Sequence, residues 1–327
     1  MAIRITDYAS LTDSLESLMV ETRDLKVAEM AAANTLFDIK DEVRRTHEER
    51  LLHGVAGIET VADGSDFPRL TSDEGDTFTL TQTQFGAIVP VTQLMREWDL
   101  YDQITEIATS VMDEAMDSLD QSFVDILLRG FATTAYTDVW GATVTPTGPN
   151  GLALFSSVHS NGTTSTTFSN LINDGTNNEP ALSRAAIVNE RARGLKYTDP
   201  NGLTRPIRLD TVVVGPDNED LAERLLYSTQ IPGEANNDLN ALKGKIKKLI
   251  VWERADLRTG GTDTSAYWFM ADSSKVKKTL KSYFTMRPTL LPPENVHSNG
   301  NWDYKLRLVY SRGFGWASYL RGSRGTA

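Results

Sequence analysis

The sequence predicts an α+β fold, and three observations carry that expectation. One uninterrupted stretch, Asp99 to Arg129 (DLYDQITEIATSVMDEAMDSLDQSFVDILLR), keeps a helical period throughout. Residues 181–258 alternate helical and extended patterns, and the last third of the chain is dominated by extended, aromatic-rich runs. Such an order suggests sheets with helices packed against them.

In the long stretch, apolar side chains fall at Ile104, Ile107, Ala108, Val111, Met112, Ala115, Met116, Leu119, Phe123, Ile126 and Leu127. Spacings of three and four place them on one stripe of a helix. No Gly or Pro interrupts it. Asp99 or Asp102 can cap its start, and Gly130 stands where a C′ glycine belongs. At 1.5 Å per residue the helix would be roughly 45 Å long. Its other face carries Asp102, Glu106, Asp113, Glu114, Asp117, Asp120 and Asp125 against Arg129 alone. A charge run of this kind reads first as a solvated back. The sharper reading is a strut whose acidic side faces something it should not bind.

Before the helix, residues 7–53 read as helical and polar. Leu11, Leu15, Leu18 and Met19 form one short stripe, and Leu36, Ile39 and Val43 another. KDEVRRTHEER (Lys40–Arg50) has too little apolar surface to make a core of its own. The segment is expected to lie on something else, as an arm or as a surface helical hairpin of the same subunit. Residues 54–95 change character: glycines punctuate, then DTFTLTQTQ (Asp76–Gln84) and AIVPVT (Ala87–Thr92) alternate as two extended runs. They look like a long hairpin. A lone two-stranded ribbon is marginal in water and should lean on a partner. Pro90 confines its strand to an edge or a bulge.

After the helix, residues 131–180 are loop-rich, with a short apolar run GLALFSSVH (Gly151–His159) inside them. Ala181–Leu195 is helical, Leu209–Val214 (LDTVVV) a buried strand, Asn218–Tyr227 a helix and Lys245–Trp252 a strand. Strands are expected at Tyr267–Ala271, at Leu280–Leu291 stopped by Pro292-Pro293, at Trp302–Tyr310, and on through FGWASYL (Phe314–Leu320).

Net charge is −11, unevenly spread. Residues 1–180 hold 29 acidic and 10 basic side chains, whereas residues 181–327 hold 15 and 23. A compact monomer could neutralise this internally, and copies meeting front to back would gain the same attraction between neighbours. The acidity argues against tight general binding to nucleic acid. With no Cys, disulfides, thiolate metal sites and Cys nucleophiles are excluded. Neither a signal-peptide run nor the ~18 consecutive apolar residues of a membrane span is found, so a soluble, non-secreted chain is expected.

No catalytic constellation emerges. His47, His53, His159 and His297 are widely spaced, without a paired-His metal pattern. Phosphate-binding and nucleophile-elbow motifs are absent, and Gly244-Lys245 runs on into Ile246. Ser274 and Lys277 fit SxxK, a pattern of little specificity. His159 is the most tempting single residue, and a side chain that packs and hydrogen-bonds at a loop entry is the stronger account of it. No cofactor and no metal are called for.

The parts in order form a familiar series. EGDTFTLTQTQFGAIVPVTQLMREWDLYDQI (Glu74–Ile104) resembles the loop-to-spine junction of tailed-bacteriophage major capsid proteins, the fold named after phage Hong Kong 97. GLALFSSVH, LDTVVVGPDNEDLAERLL, AYWFMAD and the ending WDYKLRLVYSRGFGWASYLRG also resemble family segments, more narrowly those of the Mu-like head-subunit group. The resemblance implies an N-terminal arm (1–54) and an extended β-hairpin loop (55–95). It also implies a peripheral domain (96–150 and 272–327) holding the spine helix 99–129, and an inserted axial domain (151–271). It further implies a non-enzymatic subunit whose hexamers and pentamers close an icosahedral shell around double-stranded DNA, in a virion assembled in the host cytoplasm. A separate scaffolding protein, a portal and decoration proteins are implied partners, and no membrane is. An encapsulin-like nanocompartment shell is the nearest alternative, and a hydrolase using His159 a distant one. From patterning, Arg44, Arg45, Arg69, Asp73, Glu74, Asp76, Phe78, Leu80, Lys275, Lys277 and Lys278 are candidate inter-subunit contacts.

Overall fold

The structure, a computed structural model, describes residues 5–55, 60–67, 72–98, 101–161, 164–199, 203–231, 238–295 and 301–326. The chain starts with helices α1 (Ile5–Glu29) and α2 (Ala31–Leu36). Strands β1 (Asp38–Asp41), β2 (Thr46–Val55), β3 (Ser72–Thr81) and β4 (Thr83–Val91) follow. Helix α3 (Gln93–Glu97) then leads into the spine helix α4 (Tyr101–Leu128). Two small ribbons come next, β5 (Tyr136–Thr137) with β6 (Thr143–Val144) and β7 (His159–Asn161) with β8 (Thr164–Phe168). The inserted part comprises α5 (Arg184–Leu195), β9 (Thr211–Val214), α6 (Glu219–Tyr227), β10 (Lys248–Val251), the ribbon β11 (Leu257–Arg258) with β12 (Thr262–Asp263), and β13 (Trp268–Ala271). The chain closes with β14 (Leu280–Asn295), β15 (Trp302–Phe314) and β16 (Leu320–Ser323).

The apolar stripe of α4 is the floor of the main core. Ile104, Ala108, Met112, Ala115, Met116, Leu119, Phe123, Ile126 and Leu127 are buried, together with Val124 and Leu128. Phe123 sits at the centre, 4.8 Å between ring centroids from Phe37 and 6.3 Å, edge-on, from Tyr310. It thereby joins the helix to α2 on one side and to β15 on the other. Gly130 does not take the left-handed conformation expected of a C′ glycine. Its role is close approach: a Cβ there would lie 2.9 Å from the Ile126 carbonyl and 3.0 Å from Leu154 Cβ. The Gly130 carbonyl accepts a bond from Phe155 N–H at 2.7 Å, which turns GLALF back against the helix end. Asp99 lies outside the described residues, and Asp102 stands inside the helix.

The first sheet has the order β1-β14-β15-β4, with β1 parallel to β14 and the other pairs antiparallel. Pro90 lies in β4, at the sheet's edge, where its missing N–H costs no ladder bond. Pro292-Pro293 does not stop β14, which runs on to Asn295; the ladder shifts register between Leu291 and Glu294 instead. A second shift, between Met286 and Thr289, brackets Pro288. Register breaks are where a strand tolerates a residue that cannot donate.

The extended hairpin pairs differently from the sequence expectation. Asp76–Gln84 does not pair with Ala87–Thr92. β3 pairs with β2, from Thr46↔Thr81 to Val55↔Ser72, and β4 joins β15. Residues 38–53, read as helical, are therefore mostly extended. The sequence pattern missed this because Leu36, Ile39 and Val43 happen to match a helical spacing, while their partners lie far along the chain.

The second sheet has the order β10-β9-β13-β16, with β9 and β13 buried along their whole length. Its outer face holds a separate core that includes Ile172, Ile187, Val212, Val214, Leu226 and Trp268. FGWASYL is not a strand. β15 ends at Phe314, a 3-10 turn spans Ala317–Tyr319, and the chain crosses into the second sheet as β16. There Arg321, buried, pairs with Glu190 of α5 at 3.1 Å, and Arg193 holds the other carboxylate oxygen at 2.6 Å. Truncating Phe123 to Ala should lower unfolding stability by about 3–5 kcal/mol, measured by urea denaturation, because it opens a cavity at the junction of helix and sheet. A loss under about 1 kcal/mol would show that the junction does not depend on this ring.

Candidate assembly surface

The β2–β3 hairpin grows off one end of the first sheet, because its two strands enter from opposite edges. β1 runs beside β14 up to Asp41↔Phe284, and β4 begins at Thr83↔Tyr310. Only residues 42–45 and Gln82 separate these strands from the hairpin. Its root is pinned to its own subunit. The Tyr283 ring stacks on His47 with centroids 4.0 Å apart, and its hydroxyl donates to Glu49 Oε1 at 2.7 Å. Lys281 forms an ion pair with the other Glu49 oxygen. His47 accepts from Gln82 Nε2 at 3.1 Å, so its Nδ1 carries the proton and faces Glu42 Oε2 at 3.2 Å. Phe78 and Leu80 are buried with Tyr283, and Gly313 leaves the room they need: a Cβ on it would lie 2.6 Å from Leu80 Cδ2.

Phe78 and Leu80, named from patterning as inter-subunit contacts, are buried against Tyr283 of their own subunit, where they anchor the loop. They alternate as any half-buried strand does, and nothing in the pattern says whose surface the buried face covers. Asp76 is exposed. Arg69 lies outside the described residues, as do the side chains of Asp73 and Glu74. Arg44 and Arg45 are exposed on the connection into the hairpin, Arg44 beside Glu42 at 3.1 Å. Beyond the root, the described residues 60–67 are all exposed, Phe67 at 83%.

The acidic back of α4 is only partly solvated, contrary to the first reading of its charge run. Asp125 is fully buried and accepts bonds from Thr259 N–H at 3.1 Å and from the Thr259 hydroxyl. Asp120 accepts from the Trp252 indole N–H at 3.0 Å, and Arg254 reaches Asp117 at 2.8 Å. Burial holds the Asp120 carboxyl above the usual carboxylate range, against the opposing pull of that indole bond. Half of the acidic face is thus the seat on which residues 252–259 of the inserted part dock.

Six basic residues of the C-terminal half gather at one end of the second sheet. Lys275 lies with its Nζ 5.5 Å over the Tyr319 ring, and Lys277 and Lys278 are exposed in a 3-10 turn, Val276–Lys278. Arg208, Lys247 and Lys248 are exposed around them, with Asp210 taken by Lys247 at 2.7 Å. Among the described residues, the hairpin's Glu48, Asp63, Asp66 and Asp76 are exposed as well, which gives it uncovered carboxylates against this basic end. Exposed apolar side chains form a further set that the motif search did not isolate: Ile88 on β4, and Leu94 and Trp98, four apart at the α3 end.

The catalytic alternatives lose their geometry. His159 is 4% exposed, stacks on Phe168, and its Nε2 donates to the Leu154 carbonyl at 3.0 Å. Among the described residues no carboxylate is bonded to it. Ser274 donates from both its N–H and its Oγ to Asp272, the latter at 2.6 Å, so its hydroxyl is held in a turn. His297 lies outside the described residues, and among the described residues no cluster of three or more ligating side chains could hold a metal. Burial, with the Arg321 charge nearby, holds the His159 imidazole below its ordinary value of 6.5. Above that value both folded and unfolded chains carry it neutral. As pH falls below it, the unfolded chain takes up a proton that the folded one resists, so stability is lost. The unfolding midpoint should therefore drop between about pH 7.5 and about pH 5.5, and drop less in H159Q, which keeps a donor for Leu154. Equal pH slopes for the two proteins would show that His159 carries none of the effect.

Comparison with known proteins completes the picture. The fold is similar to the capsid of an empty GTA particle computed with C5 symmetry, at a TM-score of 0.55 and 10% identity over 90% of this chain and 89% of that one. It is similar to the mature capsid of bacteriophage PhiM1, at 0.52 and 12% identity over 88% and 84% of the two chains. The capsid of Ralstonia phage GP4 matches at 0.51 and 13% identity, over 85% and 82%. At such identities the likeness is one of fold, here the Hong Kong 97-type capsid fold. No curated protein matches. A model of the phage capsid protein family matches residues 75–319, which takes in most of β3, then β4, the spine helix, the inserted part, β14 and β15, and the chain belongs to that family.

Proposed function

We propose that this capsid shell subunit assembles as hexamers and pentamers into an icosahedral head around double-stranded DNA, forming in the host cytoplasm and ending in the virion. The observation that carries this reading is the hairpin: a root pinned to its own subunit, beyond which the described residues 60–67 are all exposed. A two-stranded ribbon is marginal alone in water, so a protruding one calls for a neighbour. Charge supports it as well. An acidic loop and a basic sheet end are unlike patches, the kind that meet heterologously and repeat until a shell closes.

In this reading residues 1–54 are the arm, 55–95 the extended loop, 96–150 with 272–327 the peripheral domain, and 151–271 the axial domain. The separate core behind the second sheet, built from residues 172–270, supports an inserted unit. Arg44, Arg45, Asp73, Glu74, Asp76, Arg69, Lys275, Lys277 and Lys278 are proposed contacts between subunits. The subunit has a structural rather than a catalytic role; scaffolding, portal and decoration proteins are its proposed partners. Carboxylates left exposed on α4, such as Glu114, would repel packaged phosphate over roughly a Debye length of 10 Å if they face the lumen.

Electron microscopy of the expressed chain should show capsomers, tubes or closed shells; a stable monomer at high concentration would end the proposal. Particles from the native setting should contain DNA, whereas enzyme cargo would point to a nanocompartment. Reversing Lys275, Lys277 and Lys278 to Glu should reduce shell yield about tenfold or more at low salt, and raised salt should weaken parent assembly too. Assembly of the triple variant at parental yield would remove the basic end from the contact.

A further inference from the structure

The second sheet ends in an edge strand, β10, whose outer side no described strand pairs. β10 bonds to β9 through every second residue: Lys248 N–H donates to the Asp210 carbonyl at 3.2 Å and Trp252 N–H to the Val214 carbonyl at 2.9 Å. In a parallel ladder that alternation turns the N–H and C=O groups of Leu249 and Val251 away from β9. A free edge of this kind is a template for another strand. A groove of about 240 Å³ runs along it, with Met30 and Ala32 on one wall and Ile250 and Trp252 on the other. That volume admits side chains but falls below the roughly 300 Å³ at which small-ligand pockets begin. Ile250 and Trp252 belong to the main core, whereas Leu249 and Val251 pack against the second one, so the groove lies on the face of the sheet toward α1, α2 and α4. An added strand would drop alternate side chains into it, as in peptide sites that work by strand addition.

The two ends of the groove differ in charge. Lys248 stands at one, its Nζ donating to Thr35 Oγ1 at 2.7 Å, and the groove opens there onto the basic end of the sheet, with Arg208 and Lys247 exposed. Glu253 is exposed at the other, where Glu29 is taken by Lys26 at 2.9 Å. A strand antiparallel to β10, the commoner pairing, enters at Glu253 and leaves at Lys248. It fits best with a basic residue first, apolar side chains at alternate positions and carboxylates last. This chain's own acidic extended stretches, β1, β2 and β3, are already engaged in pairs within the subunit, which points to a different protein as the source.

We infer that the outer edge of β10 takes up an extended segment of a separate protein, antiparallel to Leu249 and Val251, with apolar side chains in the groove and carboxylates beside Lys247 and Lys248. The inference goes beyond the shell reading, since it concerns a second polypeptide and is read out by binding rather than by assembly. Backbone bonds supply the affinity, and the groove with its basic end supplies the choice of sequence.

The probe is a fluorescein-labelled peptide of Lys, alternating Val and Thr, and a closing Asp-Glu-Asp, titrated with the expressed chain and followed by fluorescence anisotropy. The parent protein should bind it saturably, and more weakly as salt rises. Leu249→Pro removes one outward donor and no bond to β9, a change that edge strands accept. It should weaken binding at least ~10-fold, whereas Leu249→Ala, which keeps the donor, should stay within about threefold of the parent. Lys248→Glu should cost about tenfold, and a probe closing in Lys-Arg-Lys should lose as much. N-methylated probes give a check that does not depend on how the proline variant folds. Methyls on the amides facing β10 should abolish binding, and methyls on the alternate amides should leave it. No saturable binding, parental binding by Leu249→Pro, or equal binding of the two methylated probes overturns the inference. Loss of shell assembly in a folded Leu249→Pro protein would give the edge to a second copy, which overturns it as well and leaves the shell reading standing.

Discussion

Everything in this subunit is hung on a helix that uses both of its faces. The apolar stripe of α4 carries the first sheet, with Phe123 wedged between Phe37 and Tyr310. The carboxylate side carries the inserted part, through Asp117, Asp120 and Asp125 bonded to residues 252–259. A buried carboxylate is tolerated only when its bonds to water are replaced, and an indole N–H, a guanidinium and a backbone N–H replace them here. The helix thus ties the two sheets to each other, beside the crossing of β15 into β16.

The same economy of contact explains the hairpin. Its strands are continuations of sheet strands from opposite edges, so its direction is set by the first sheet and not by the turn at its tip. Directly under the root lies a polar network in which Arg312 pairs with Asp138, Tyr310 donates to Ser122, and the Trp140 indole N–H donates to Tyr310. Burial by itself pulls the Arg312 pKa down, but its tyrosine and aspartate neighbours outweigh that and hold it above its ordinary value. A rigid base with an uncovered tip is what a part needs if it is to reach across a boundary without drooping onto its own surface.

Charge asymmetry along the chain turns out to serve both accounts that the sequence left open. Glu49 pairs with Lys281, Asp41 with Arg287, Asp138 with Arg312, and Glu179 with Arg324. Each joins an acidic residue of the first 180 to a basic one of the remainder, so part of the asymmetry is spent inside the subunit. What remains lies at the two extremes, the acidic hairpin and the lysines around Val276–Lys278. Exposed pairs of this kind contribute little to fold stability and more to which surfaces meet.

By itself the sequence determined the spine helix almost to its ends, the buried strands Thr211–Val214 and Trp268–Ala271, the edge position of the strand holding Pro90, and the family. These depend on local periodicity, on a missing N–H and on the order of segments, all of which are written along the chain. Only the tertiary structure decided that Thr46–Val55 pairs with Ser72–Thr81, that Gly130 serves close packing, that Phe78 and Leu80 turn inward, and that Asp120 and Asp125 are docking groups. It alone brought Tyr136 next to Arg312, which stand far apart in the chain and match no motif. The physical reason is common to all of these: strand partners and burial are properties of pairs distant in sequence, and a side chain's alternation tells that one face is covered without telling by what.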